Sequence, residues 1–297
     1  MTEPDPIAAD WRALSQEALD AAYDQAAYAP NMQQVIQRCL SESARTRQRL
    51  GEPCRLAYGP GPNERLDWFA PPGASGPAPV HIFVHGGAWR QGSAAMFSFV
   101  AEPFVRAGAC AAVLDFDAVQ DHAGDLQPMA DQVAAALAWV ARNAAAHGGD
   151  PDLIYLSAHS SGAHLAACAL TGLAGREPVP RGQIKGALLC GGLYDLAPVR
   201  ASARSSYVSL SDGSEQRLSP IRHLDRWRTP ALIAFSGLET PEFQRQSAEF
   251  ADALAARGLL DGRIFAPHHN HFEVLETLAN PYGLLGAAAL AQMARGA

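Results

Sequence analysis

The sequence contains the segment Ile154-Tyr-Leu-Ser-Ala-His-Ser-Ser-Gly-Ala-His-Leu-Ala166, in which an apolar run leads into Ala158-His-Ser-Ser-Gly162 and then into an alanine-rich pattern. The pattern predicts a strand that turns sharply into a helix, because very small residues two places before and after Ser160 let strand and helix pass closely. Such a turn is typical of a nucleophile elbow, and Ser160 is the candidate nucleophile. Small residues also cluster in ordinary tight turns, so this hypothesis depends on partners elsewhere in the chain.

The composition is that of a globular protein. The chain has 297 residues, of which 48% are hydrophobic and 18% are charged, and this length suits one large α/β domain with excursions. The formal net charge is -7 and no cluster of Lys and Arg occurs, which argues against nucleic acid or an anionic membrane surface as a partner. We therefore expect a small-molecule substrate, no nucleic acid and no membrane, and the sequence leaves a homodimer open.

The start of the chain and its cysteines bear on location and metal binding. Residues 1–6 are acidic and interrupted by proline, whereas a signal peptide needs a basic start and then an apolar run. No apolar segment reaches the roughly 18 to 20 residues that span a bilayer, so we expect a soluble, cytoplasmic protein. Five scattered cysteines without C-x-x-C spacing indicate buried thiols rather than disulfides or a zinc site.

Apolar strands alternate with helical patterns from residue 65 onward. This alternation predicts an α/β fold with a mostly parallel central sheet and helices on both faces. The predicted strands are 65–70, 80–84, 109–116, 153–156, 184–190, 231–235 and 263–267, and the predicted helices are 96–107, 127–147, 162–174, 243–257 and a terminal helix from 272.

Two segments differ from this alternation. Residues 15–50 have helical spacing after a capped start at Ser15-Gln-Glu-Ala. We therefore predict that residues 1–64 form an N-terminal helical arm packed on a catalytic domain of residues 65–297. Residues 191–222 are a polar, serine-rich excursion between two strands, and its length is typical of a lid or a binding loop.

A nucleophilic serine needs a base, an acid that orients the base, and N–H donors for the oxyanion. In hydrolases with this elbow the acid and then the histidine follow the serine along the chain. The last predicted strand is followed by His268-His-Asn-His-Phe272. We favour His271 as the base because it lies where the loop meets a helix, over His269 and then His268. A solvated or metal-binding cluster is the alternative, and we expect no metal.

The candidate acid follows the strand at 231–235. Glu239 comes directly after this strand and is our first choice. Pro241 is typical of the first turn of a helix, so Glu242 is expected to be a helix-start carboxylate that interacts with the positive helix end. Asp195, which follows the preceding strand, is the second candidate. His159 and His164 near the elbow are expected to pack or to form hydrogen bonds.

Backbone N–H groups after the strand at 80–84 are candidates for the oxyanion hole. The segment His85-Gly-Gly-Ala-Trp89 lets the backbone approach closely, and the N–H that follows the nucleophile is the usual second donor. The oxyanion candidates are Gly86, Gly87, Ala88 and Ser161. The candidate substrate contacts are the aromatic residues Trp89, Phe97, Tyr194 and Tyr207. No phosphate-binding glycine loop or metal signature competes, so we expect no cofactor.

Together these motifs resemble the kynurenine formamidase (arylformamidase) group of α/β-hydrolases, a neighbour of the HGG-type esterases. The resemblance spans most of the chain, including Tyr23 to Pro30 and Tyr58-Gly-Pro-Gly-Pro62. The motifs that carry it are His85-Gly-Gly-Ala-Trp89, Ala158-His-Ser-Ser-Gly-Ala-His-Leu165, Gly191-Gly-Leu-Tyr-Asp-Leu196, Glu239-Thr-Pro-Glu-Phe-Gln-Arg-Gln-Ser247 and Asn270-His-Phe272. The resemblance implies an α/β-hydrolase fold, with Ser160 as nucleophile, Glu239 at the acid position, His271 as base and the HGG-x-W segment as oxyanion hole.

The sequence differs from the usual pattern of this group at three places, and these differences bear on which substrate is bound more than on the type of reaction. Ala158 replaces a common glycine, Glu239 stands where formamidases usually have aspartate, and residues 115–122 lack the usual tyrosine-and-proline loop. The sequence thus predicts a serine hydrolase that cleaves an amide or ester bond of a small, aromatic substrate through an acyl-enzyme. An arylformamidase-type amidase is the first hypothesis and a carboxylesterase for short-acyl or aryl esters is the alternative. A non-catalytic binding protein would require a missing triad residue, and none is missing.

Overall fold

A computed structural model describes residues 10–73, 76–174 and 182–296. Within these ranges eight strands form one sheet in the order β1-β2-β4-β3-β5-β6-β7-β8. The strands are β1 (Cys54–Ala57), β2 (Arg65–Phe69), β3 (Ala78–Val84), β4 (Cys110–Leu114), β5 (Gly149–His159), β6 (Ile184–Cys190), β7 (Ala231–Ser236) and β8 (Leu260–Ala266). The pairs β1–β2 and β2–β4 are antiparallel and the other pairs are parallel. The predicted mostly parallel sheet is confirmed.

Helices cover both faces of this sheet. The α-helices are α1 (Gln16–Ala21), α2 (Met32–Leu50), α3 (Glu102–Arg106), α4 (Gln127–Asn143), α5 (Ser161–Thr171), α6 (Ala197–Ala201), α7 (Asp212–Arg217), α8 (Pro241–Ala255), α9 (Glu273–Glu276) and α10 (Leu284–Gly296). Because successive side chains of a strand point to opposite faces, Ala112 of β4 joins the core cluster of α4, α5 and α8, whereas Ala111 joins that of α3 and α10. In the part of the chain that the structure describes, no helix is long and apolar enough to cross a bilayer.

The N-terminal segment differs from the predicted continuous helix. Ser15 caps α1 as predicted, since its hydroxyl accepts from the Ala18 N–H, but turns separate α1 from α2. Pro30 is unfavourable in a helix interior, and polar contacts of this stretch, such as the bond of 3.1 Å from the Tyr23 hydroxyl to Glu242 on α8, hold it against the rest of the fold. The strand β1 was not predicted; it lies before residue 64 and pairs with β2 across the predicted domain boundary. The division into arm and catalytic domain stays a prediction.

Prolines divide two other predicted helices. The stretch predicted at 96–107 is a 3-10 helix over Ala94–Val100 followed by the short α3, with Pro103 in its first turn. The C-terminal helix predicted from residue 272 begins as α9 and a 3-10 turn over Thr277–Ala279, and α10 starts only after the break at Pro281.

The excursion at 191–222 is folded rather than extended. It contains α6 and α7 with 3-10 turns at Ala203–Ser206 and Pro220–His223. The Leu196 N–H donates to the Ser219 hydroxyl at 2.9 Å, which ties the two ends of the excursion together. The His164 imidazole on α5 donates to the Leu218 carbonyl at 2.8 Å, so the excursion lies against the helix that follows Ser160.

Candidate active site

Ser160 occupies the turn between β5 and α5. Its backbone has φ 56° and ψ -128°, a conformation that non-glycine residues rarely adopt and that is often found at functional sites. The Ser160 N–H donates to the Cys190 carbonyl at 2.8 Å and fixes the turn. A Cβ at Gly162 would lie 2.2 Å from the His85 carbonyl oxygen, so only glycine allows α5 to pass β3 this closely. The predicted strand–turn–helix arrangement is confirmed.

The structure brings Ser160, His271 and Glu239 into one chain of hydrogen bonds. Because a carboxylate only accepts, His271 Nδ1–H donates to Glu239 Oε2 at 2.7 Å. His271 Nε2 is then the acceptor for the Ser160 hydroxyl, at 2.8 Å. The other carboxylate oxygen of Glu239 accepts from the Ser236 N–H at 2.7 Å. The acid therefore holds the imidazole in the tautomer that can take a proton from Ser160.

Burial determines the charge state of this group. His271 and Glu239 are 3% and 1% exposed. Burial lowers the pKa of His271, and the positive charge of Arg204 lowers it further, so the imidazole is neutral at pH 7. Burial raises the pKa of Glu239 to about 7, while the Ser236 N–H opposes this rise by stabilising the carboxylate. Because one proton lies between His271 Nδ1 and Glu239 Oε2, the imidazole and the carboxylate titrate as a pair.

Gly191 makes room for the pair and was not predicted as a site residue. It follows β6 with φ +56°, and a Cβ there would lie 3.0 Å from both Glu239 Oε2 and His271 Nδ1. A side chain at this position would push the acid and the base apart. The signal in the sequence was a pair of glycines directly after a strand, the position where ligands meet a parallel sheet.

Two histidines near the elbow hold neighbouring segments in place, as predicted. His159 Nε2–H donates to the backbone carbonyl of His271 at 2.8 Å. His164 Nδ1 accepts from the Trp89 indole N–H at 3.2 Å, and its other ring nitrogen bonds the excursion. Burial lowers the pKa of both imidazoles, so both are neutral at pH 7. His159 fixes the loop of the candidate base relative to the candidate nucleophile.

The N-terminal segment supports the loops that carry Glu239 and His271. The Gln25 side-chain oxygen accepts from the Thr240 N–H at 3.2 Å, next to Glu239. Asn31 Oδ1 accepts from the Asn270 side chain at 2.8 Å, next to His271. The residues before α2 therefore contact both loops, which no local sequence pattern indicated.

One oxyanion candidate, Gly86, lies directly against the Ser160 side chain, and another, Ser161, follows Ser160 in the chain. A Cβ on Gly86 would lie 2.8 Å from the Ser160 Cβ, so the backbone runs directly past the serine. Gly87, Ala88 and Trp89 follow with positive φ, which turns this backbone sharply. Within the described ranges, no group accepts a hydrogen bond from the N–H of Gly87, Ala88 or Ser161. These N–H groups therefore stay candidates for donation to a ligand oxygen.

The alternative catalytic residues lie elsewhere or have other partners. His268 is exposed and His269 is half-buried, and Ser160 bonds neither of them. Asp195 Oδ1 accepts from the Ala197 N–H at 3.1 Å, just before α6, and the carboxylate pairs with Arg222. Glu242 lies in the first turn of α8, as predicted, and forms a two-bond pair with Arg245.

The predicted aromatic substrate contacts fall into two groups. Tyr194 is 0% exposed and stacks on Phe250 at 3.9 Å in the core, so a substrate contact there conflicts with the structure. Trp89 is also buried, with its indole turned toward α5. Phe97 and Tyr207 are half-buried, and a substrate contact at either stays a prediction. The sequence pattern around these aromatic residues does not distinguish a ring that packs in the core from a ring that faces the candidate site.

The cysteines have no disulfide partners. Cys110, Cys168 and Cys190 are buried as expected, whereas Cys39 is half-buried and Cys54 is exposed on β1. Cys54 is exposed because β1 is the edge strand of the sheet.

Comparisons with known proteins show the family of the chain. Residues 66–183 match the BD-FAE family model. The kynurenine formamidase of Salmo salar is 30% identical over 231 residues, which are 76% of each of the two chains. The chain belongs to the kynurenine formamidase family. The kynurenine formamidase of Danio rerio is 29% identical over 93% of this chain and 96% of its own length.

A solved structure extends the likeness to the whole fold. A Silicibacter protein with the provisional description of a thioesterase superposes with a TM-score of 0.78 and is 25% identical. The superposition covers 92% of this chain and 98% of that protein. Like the family it belongs to, the chain is a serine hydrolase of the HGG-type α/β-hydrolases that acts on amide or ester bonds.

Proposed function

We propose that the chain is an arylformamidase-type amidase that cleaves a small aromatic formamide through an acyl-enzyme. The observation that carries the proposal is the hydrogen-bond chain from Ser160 through His271 to Glu239, together with the N–H groups of Gly87, Ala88 and Ser161, which have no acceptor among the described residues. Membership of the kynurenine formamidase family supports the substrate class. A cytoplasmic location stays a prediction from the sequence, which also leaves a homodimer open.

In the proposed first step, His271 Nε2 takes the proton of Ser160 while the serine oxygen attacks the carbonyl carbon of the substrate. The carbonyl oxygen becomes an oxyanion that accepts hydrogen bonds from the N–H groups of Gly87, Ala88 and Ser161. One such donor typically contributes about 100-fold to 1,000-fold to turnover. The imidazolium, stabilised by Glu239, then donates its proton to the leaving amine as the C–N bond breaks.

Water completes the reaction. His271 takes a proton from a water molecule, whose oxygen attacks the acyl carbon of the ester on Ser160. The proton returns to the serine oxygen as the C–O bond breaks and the carboxylic acid, formic acid for a formamide, leaves. Only 8% of Ser160 is exposed and the backbone of Gly86 runs directly past it, which favours a small acyl group such as formyl.

The competing function is that of a carboxylesterase, and kinetics on two substrate classes separate the two. We expect kcat/KM on N-formylkynurenine or a simple aryl formamide to exceed that on phenyl acetate and phenyl butyrate, after each rate is divided by its uncatalysed rate. Ester turnover without measurable formamide turnover would assign the carboxylesterase function instead.

The pH dependence tests the roles of His271 and Glu239. When the His271–Glu239 pair takes up a proton, His271 can no longer act as a base. The plot of kcat/KM against pH should therefore fall along a single acidic limb as the pH decreases. In Glu239→Gln the imidazolium loses its carboxylate, which lowers the pKa of His271 and moves this limb to lower pH. Turnover above the limb should fall by about 10³ to 10⁴. A limb that stays in place in Glu239→Gln would show that Glu239 does not act on His271.

A further inference from the structure

Arg204 brings a positive charge close to the candidate active site from the 191–222 excursion. Its guanidinium carbon lies 5.6 Å from the ring centres of Trp89, Tyr23 and Phe243. The Phe243 ring in turn contacts the His271 ring edge-on, with 5.0 Å between centroids. One aromatic ring therefore separates the guanidinium from the candidate base.

The guanidinium is only partly used by the protein. Arg204 Nη2 donates to the Tyr23 carbonyl at 3.1 Å, and Nη1 donates to the Tyr207 hydroxyl at 2.9 Å. The Nε–H is buried and, in the described part of the chain, has no acceptor. Leaving a buried charged donor without an acceptor is costly unless a ligand supplies one.

Two carboxylates that contact the neighbours of Arg204 already have other partners. Glu239 accepts from His271 and from the Ser236 N–H. Glu242, next to Phe243, accepts two bonds from Arg245 and one from the Tyr23 hydroxyl. Among the residues that the structure describes, no carboxylate forms an ion pair with Arg204. Its charge acts on the site, because it contributes to the lowered pKa of His271.

We propose that Arg204 binds a carboxylate of the substrate, so that the enzyme selects anionic aromatic amides over neutral ones. This inference rests on the proposed function. The Nε–H has no acceptor in the ranges that the structure describes, and Nη2 carries a second N–H beside the one that it gives to the Tyr23 carbonyl, so these two N–H groups can form the planar fork that a carboxylate accepts with two parallel bonds. The apolar rings of Tyr23, Trp89 and Phe243 beside the guanidinium lower the local dielectric constant and so strengthen such a pair.

Matched substrate pairs test the proposal. The probes are N-formylkynurenine and the three isomers of formamidobenzoate, each beside the carboxamide in which the carboxylate is replaced by a neutral group of similar size. The quantity is the ratio of kcat/KM for the anionic member to that for the neutral member. We expect the wild-type enzyme to favour the anionic member of at least one pair. In Arg204→Met this ratio should fall by about 10-fold to 100-fold, and Arg204→Lys should retain part of it.

Arg200→Met is the matched control, because Arg200 lies in the same excursion, is exposed, and pairs with the exposed Asp212. The ratio of kcat/KM for the anionic member to that for the neutral member should be the same in Arg200→Met as in the wild-type enzyme. Equal kcat/KM for both members of every pair in the wild-type enzyme would overturn the proposal even if Arg204→Met does not fold. An unchanged ratio in a folded Arg204→Met would also overturn it, since a purely structural role lowers both rates together. Turnover of neither amides nor esters would instead contradict the proposed function.

Discussion

Replacing Ser160 by alanine is expected to lower turnover of the best amide or ester substrate by about 10⁴ to 10⁶. Without its hydroxyl no acyl-enzyme can form, and only binding and the oxyanion donors still favour the reaction. The fold should survive because alanine is smaller than serine and the turn is held by backbone bonds, including Ser160 N–H to Cys190. Steady-state kinetics with a thermal unfolding curve check both statements.

Ser157→Ala is the matched control for this experiment. Ser157 is a buried serine of β5, the strand that leads into Ser160, and its hydroxyl bonds the His81 ring at 2.8 Å rather than that of His271. Its loss should lower stability and leave most of the turnover in place. Near-normal turnover in Ser160→Ala would contradict the proposed mechanism, whatever the control shows.

Replacing His271 by alanine is expected to lower turnover by a similar factor of about 10⁴ to 10⁶. The nucleophile and its base act as one unit, so removing either residue costs about as much turnover as removing both. Ser160 would then have no proton acceptor, and labelling by a serine-directed phosphonate should also be lost. Rates of turnover and of labelling are measured on the same preparations.

His269→Ala is the comparison that distinguishes the histidines of this loop. His269 is half-buried two residues away, and its backbone carbonyl, which the substitution keeps, accepts from the Leu238 N–H. We expect its turnover and labelling to stay within a few fold of the wild type. A larger loss in His269→Ala than in His271→Ala would move the base to His269.

The elbow could be predicted because its constraints are local. The strand, Ser160 and Gly162 follow one another along the chain, and the close approach of α5 to β3 requires a small residue at a fixed spacing. The order of strands and helices was likewise visible from hydrophobic alternation. Glu239 and His271 could be chosen as candidates from their positions after the last two strands, because the carboxyl ends of parallel strands meet at one edge of the sheet.

Long-range contacts account for what the sequence did not reveal. Tyr194 follows a strand like the site residues do, yet its ring stacks on Phe250 in the core. Nothing near Arg204 in the sequence indicates that it lies beside Phe243, and nothing near Asn31 indicates that it bonds Asn270. The strand β1 is short and mostly exposed, so it lacks the apolar pattern by which the other strands were recognised.

The central claim is that Ser160 is the nucleophile activated by His271, and identification of the residue labelled by a serine-directed fluorophosphonate tests it most directly. Intact-mass and peptide mass spectrometry of the inactivated wild-type protein should show one adduct per chain, on the peptide that contains Ser160, formed in step with the loss of turnover. An adduct on another residue, or full turnover by protein labelled at Ser160, would contradict the account.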